Sequence, residues 1–165
     1  MPRRRIVERA KQDKRQGKSA STQAGEFVKE EMRHVRAGMH GARSTKQVIA
    51  IGLSKARRAG VRLRPPKEGT TSERTVRSAK RDLAAGAHAH SVSHKRSRAI
   101  TKALQREGRA AASKGALAKQ ARSAASRRGS SARSAAARKA VRTKGTAGRS
   151  AAAKKAARTR SRGRP

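Results

Sequence analysis

From Gly108 to Pro165 the chain carries 18 Lys or Arg and not one Asp or Glu, in a background of Ala, Ser, Gly and Thr. No face of such a segment holds the large apolar side chains that a core requires. Unrelieved like charge also opposes compaction, and a polyanion is what relieves it. DNA and RNA are the abundant cellular polyanions, so this half of the chain points to a class of ligand. The expectation is a long basic tail, disordered or transiently helical.

Residues 1–107 are different in kind. They hold 28 Lys or Arg and all nine acids, so only here can ion pairs form within the chain, and the net charge of the whole is +37. Apolar content is mostly Ala, with Phe27 the one aromatic and neither Trp nor Tyr. The reading is a mostly α protein with a small, poorly buried helical part. It divides into a basic disordered arm (1–20), a helical hairpin (21–66), a linker with two weaker helices (67–107) and the Ala/Lys/Arg-rich low-complexity tail (108–165).

The hairpin has the clearest signals. Its first helix is expected over about Thr22–Ala37, capped by Ser21 or Thr22, with Glu26 in the early turns and Gly38 as the left-handed stop. Phe27, Val28, Met32 and Val35 share one face. Ser44-Thr45-Lys46-Gln47 reads as a capping box opening a second helix, in which Val48, Ile49, Gly52, Leu53 and Ala56 line up. Gly60 stops it, Val61 follows where a C-terminal apolar contact forms, and Pro65-Pro66 forbids continuation. About ten apolar side chains are marginal for independent folding, so a homodimer through residues 22–60 would cover them. A helix-turn-helix reader is the alternative for the same pair.

Weaker helices are expected over Ser72–Ala85, with Val76, Ala79 and Leu83 aligned before Gly86, and from Ser93 through Ile100 and Leu104 to Gly108. Ala110–Arg128 has helix propensity with Leu117 as its large apolar residue. The tail repeats itself. Arg133–Lys144 and Arg149–Arg160 match at a period of 16, with nine of twelve positions identical. Either low-complexity drift or a series of equivalent phosphate-binding cassettes accounts for this.

The site residues expected on these grounds are cations. In the tail they are Arg122, Arg127, Arg128, Arg133, Arg138, Lys139, Arg142, Lys144, Arg149, Lys154, Lys155, Arg158, Arg160 and Arg162. In the hairpin they are Lys46, Lys55, Arg57 and Arg58. Arg grips two phosphate oxygens with a planar fork, and Lys acts as a mobile point charge. Base readout has no support: no aromatic stacks on bases, and the chain has no Asn to read adenine.

Other chemistry is thin. His88, His90 and His94 form an HxHxxxH run that raises a metal, but neither Cys nor a nearby carboxylate completes it, and His34 and His40 are too separated to strengthen it. No metal or cofactor is therefore expected. Serines lie in caps or low-complexity sequence, without the His and acid of a nucleophilic site, and no phosphate loop or dinucleotide fingerprint is present. Neither an enzyme nor a small-molecule substrate is expected. Val48–Leu53 is too short to span a bilayer, and no signal-peptide apolar region follows the basic N-terminus, so a cytoplasmic, non-membrane protein is the expectation.

Two stretches carry a family likeness. Glu26–Gly41 (EFVKEEMRHVRAGMHG) and Ala42–Gly60 (ARSTKQVIAIGLSKARRAG) resemble small basic bacterial proteins labelled plasmid stabilisation protein or DNA-binding protein. The likeness covers about residues 24–66, and more loosely 95–129. The tail, with Ala151–Ala157 (AAAKKAA), is similar in composition to the tails of linker histones and bacterial histone-like proteins. The resemblance implies a bacterial, nucleoid-associated setting and assigns no catalytic residue; together with the cationic tail, the reading is a non-enzymatic, sequence-tolerant DNA binder. RNA binding in a ribosome-associated role is the alternative, because a flexible basic tail fits folded RNA equally well.

Overall fold

The helical signals dominate what forms. A computed structural model describes residues 4–87 and 93–162 of the chain, and among them no strand occurs. The helices are α1 (Arg4–Arg15), α2 (Ala20–Arg36), α3 (Thr45–Arg58), α4 (Glu73–Ala87), α5 (His94–Gln105), α6 (Lys114–Ser126) and α7 (Ser130–Arg162), with a 3-10 turn at Ala110–Ala112. Two compact units are present: one extends to Gln120 and the other starts at Ala121.

In the first unit the N-terminal segment is not a frayed arm. Residues 4–15 form α1, because Ile6 and Ala10 sit one turn apart and both are buried. They join Ala24, Phe27, Ala56 and Val61 in one apolar cluster. Arg9 reinforces the docking with a 3.3 Å ion pair to Glu26 on α2.

α2 starts earlier than the sequence suggests. Ser19, not Ser21 or Thr22, is the cap, its Oγ accepting from Thr22 N. The end is as read: Gly38 takes φ 75°, Gly38 N donates to Val35 O and Met39 N to His34 O. At α3, Ser44 Oγ accepts from Gln47 N at 3.2 Å. The return bond is displaced by one residue from the usual box, since the Gln47 side chain accepts from Arg43 N. At the other end Gly60 takes φ 87°. Val61 N reaches back to Ala56 O, which buries Val61 in the first cluster.

α2 and α3 pack closely because Gly52 lets them. A Cβ at Gly52 would stand 2.7 Å from Val28 Cα. The pair is not a free-standing hairpin, however. α1 covers one end and α4 packs on α3 through the buried Val76 and Ala79. Ala111 and Ala112 of the 3-10 turn complete a second cluster with Met32, Val35, Ala42 and Val48. Of the apolar side chains of this pair, Phe27, Met32, Val35, Val48, Ala56 and Val61 are buried within the chain, and Val28, Ile49 and Leu53 are partly buried. Gly86 lies inside α4 rather than after it, where a Cβ would collide with Arg57 O. α5 buries no residue.

The second unit takes the helical rather than the disordered form of the two expected for the tail. Ser130–Arg162 is helical, interrupted where Gly145 adopts φ 63°, ψ −176°. No residue in it is buried. Alanine propensity and the helix's own backbone bonds are what form it, with no apolar face to direct packing.

Candidate nucleic-acid interface

A cation contributes to a phosphate-binding surface only if its charge is not already committed. In the hairpin, three of the four expected cations are committed. Lys55 Nζ donates to Glu31 Oε1 at 2.6 Å. Arg57 is only 6% exposed and donates to the carbonyls of Leu63 and Arg64. Burial lowers its pKa from the ordinary guanidinium value, with the negative charge of Asp82 opposing that effect. Arg58 Nε donates to Asp82 Oδ1 at 2.7 Å, and Ser54 Oγ donates to the other oxygen of that carboxylate at 2.6 Å.

These three residues are therefore framework, tying α3 to α2, α4 and the following loop. Lys46 and Arg58 are the exposed two of the four, and Arg58 is held by Asp82, which leaves Lys46 at the start of α3. The same geometry bears on the helix-turn-helix alternative. Of the α3 residues only Lys46, Ala50 and Arg58 are exposed, which leaves too little free face to read a groove.

The tail cations are placed otherwise. Arg122, Arg127 and Arg128, and every Lys and Arg from Arg133 to Arg162, are exposed on α6, α7 and the turn between them. No acid exists anywhere in this part of the chain to neutralise them. Arg133 donates to Arg128 O at 2.8 Å and Arg149 to Gly145 O at 3.3 Å. Such contacts satisfy N–H donors and leave the charge intact.

The break at Gly145 gives the repeat a structural meaning, since it falls between the two copies. At about 100° per residue, Arg138, Lys139 and Arg142 lie within about 100° of one another, and Arg133 and Lys144 lie on the opposite side. The second copy repeats this with Lys154, Lys155 and Arg158 against Arg149 and Arg160. Each copy is a helical segment about 18 Å long with cations on two opposed faces.

One cluster escaped the sequence reading. His34 and His40, which look too separated, converge on Glu31: His34 Nδ1 lies 3.3 Å from Glu31 Oε1 and His40 Nε2 lies 3.3 Å from Glu31 Oε2. The signal was the Gly38 stop, which turns the chain back on itself and returns His40 to the last turn of α2. The HxHxxxH run cannot be compared with it, because His88 and His90 lie outside the described residues; His94 is the first residue of α5.

No protein-family model, curated protein or solved structure matches this chain. Among the described residues no helix is long and apolar enough to cross a membrane.

Proposed function

We propose that the chain is a non-enzymatic, sequence-tolerant DNA-binding protein whose α6–α7 region neutralises phosphates. The observation that carries this reading is the fully exposed, acid-free run of cations on α7, set on opposite faces of two repeated helical segments. An α-helix about 10–12 Å across fits the major groove of B-DNA, about 12 Å wide, with a phosphate backbone on either rim. Cations on two opposed faces suit that position better than a single basic stripe would. The narrow, deep major groove of A-form RNA does not admit such a helix, which favours DNA.

The first unit acts as the folded body that carries the tail, and Lys46 adds an outward charge. The likeness of residues 24–66 to bacterial DNA-binding and plasmid-stabilisation proteins supports the same reading, and with it a nucleoid-associated setting. Matched DNA and RNA duplexes titrated with the full chain at several salt concentrations provide the test. DNA binding at least as tight as RNA binding, weakening by about a thousandfold or more between about 50 and about 200 mM salt, is expected. Failure to bind DNA at about 50 mM salt sinks the proposal. A clear preference for RNA replaces it with an RNA-binding, ribosome-associated role.

A further inference from the structure

Glu31 is among the four largest fully buried side chains of the described residues, beside Phe27, Val35 and Val48. A carboxylate in that company must be neutralised by something. Lys55 meets only one of its oxygens, and Glu31 Oε2 is buried without a hydrogen-bond partner. Two imidazoles flank the carboxylate. Glu31 and His34 are three residues apart on α2 and so share a face. The turn at Gly38 brings His40 alongside, with the two rings edge to face and their centroids 6.0 Å apart.

We propose that Glu31, His34 and His40 form a binding site for a divalent transition metal of the zinc class. One ligand atom from each lies within 4.8 Å of the other two. His40 Nε2 and Glu31 Oε2 lie 3.3 Å apart, the edge of a tetrahedron built on zinc bonds of about 2.0–2.1 Å, and His34 Nδ1 lies 3.3 Å from the other oxygen of the same carboxylate. Two imidazoles and a carboxylate, with no thiolate in the chain, select zinc-class ions over magnesium or calcium. Three protein ligands leave the fourth position to water or an exogenous ligand. His34 and His40 keep a small exposure, 15% and 13% of their side chains, which gives an ion a way in.

Behind the ligands stand the partners that orient metal-binding imidazoles in general. His40 Nδ1 lies 3.1 Å from Gly41 O, so donation there leaves Nε2 to face Glu31. His34 Nε2 lies 3.0 Å from Glu30 Oε1 without a hydrogen bond between them, and Glu30 is itself paired with Arg33. The loop bearing His40 is fixed from outside: Gly41 N donates to Leu104 O at 2.8 Å and Ala42 N to Gly108 O at 3.0 Å. A side chain at Gly41 would collide with Glu107 O, so this glycine keeps the ligand loop in place. Lys55 holds Oε1 and the metal takes Oε2, so the ammonium and the ion share the carboxylate rather than exclude each other.

The test uses the full chain carrying His88→Gln, His90→Gln and His94→Gln, which removes the other histidine run. Zn2+ is titrated into this protein in competition with a chromophoric chelator, and into versions with His34→Gln or His40→Gln added. One equivalent is expected, with affinity falling about tenfold or more in each added variant. Equal affinity with and without those substitutions overturns the proposal, as does loss of all tight binding when the 88/90/94 run is removed. Co2+ supplies a measurement that does not depend on the variants folding. Bound to the protein that retains His34 and His40, it should show the intense visible bands of a four-coordinate ion. The pale spectrum of the hydrated ion would overturn the site.

Discussion

Lys55 on α3 and Glu31 on α2 meet at 2.6 Å, and the Glu31 side chain is 1% exposed while that of Lys55 is 31% exposed. The pair joins the two helices at a carboxylate that cannot reach water once its partner is gone. Lys55→Met should therefore destabilise the first unit by about 3 kcal/mol, near the lower end for a broken buried pair. Adding Glu31→Gln should recover much of that loss, because the stranded charge is removed with it. Urea unfolding followed by circular dichroism reads both effects, and additive losses in the double variant would contradict the coupling.

Gly52 sets the distance between the same two helices. Gly52→Ala places a methyl 2.7 Å from Val28 Cα and 2.9 Å from its Cγ2. Backbone must then move, at a cost of about 1–3 kcal/mol. The gain in helix propensity from Gly to Ala, about 1 kcal/mol, offsets only part of this. A lower unfolding midpoint is expected; an unchanged or higher one would show that α2 and α3 are not in contact here.

Arg57 separates structural cations from binding ones. Arg57→Gln removes bonds to the Leu63 and Arg64 carbonyls and should lower stability by about 1–3 kcal/mol. The salt dependence of DNA binding should not change, since this guanidinium does not reach a phosphate. A smaller salt slope in this variant would return Arg57 to the interface.

Gly145 keeps the two cationic copies independent. Gly145→Ala disfavours φ 63° and promotes one continuous helix. Sixteen residues advance a straight helix by about 160° beyond whole turns, so the three-cation face of one copy would then align with the two-cation face of the other. A single rod with cations along both faces should keep the tail's share of the salt slope. A slope that falls by about half would mean that the copies need the break at Gly145 to engage a duplex together.

Much of the first unit could be read directly from the residues because its ends are local chemistry. Gly38, Gly60 and the Ser44 side chain behave as capping rules require, and only the return bond of Gln47 is shifted, to Arg43 N. α1 was missed because its evidence is Ile6 and Ala10, only two apolar residues four apart within a basic segment, and what makes it a helix is the distant surface of Phe27, Ala56 and Val61. The commitments of Lys55, Arg57 and Arg58 depend on Glu31, Asp82 and the 63–64 carbonyls, contacts that composition cannot reveal. His34 and His40 meet through a chain reversal whose glycine was visible but whose consequence for side chains was not. In the tail the charge was legible, whereas the helix and its break at Gly145 depend on backbone conformation, with no apolar periodicity to announce them.

The central claim is that α7 carries the phosphate contacts. The most direct measurement compares the salt slope of DNA binding for the full chain with that of a variant in which Arg133, Arg138, Lys139, Arg142, Lys144, Arg149, Lys154, Lys155, Arg158, Arg160 and Arg162 are replaced by Gln. Each lost phosphate contact should reduce the slope of log affinity against log salt by about 0.9. Most of the slope should disappear while the first unit keeps its unfolding midpoint. A slope that survives the replacement would place the binding surface on the first unit instead of α7.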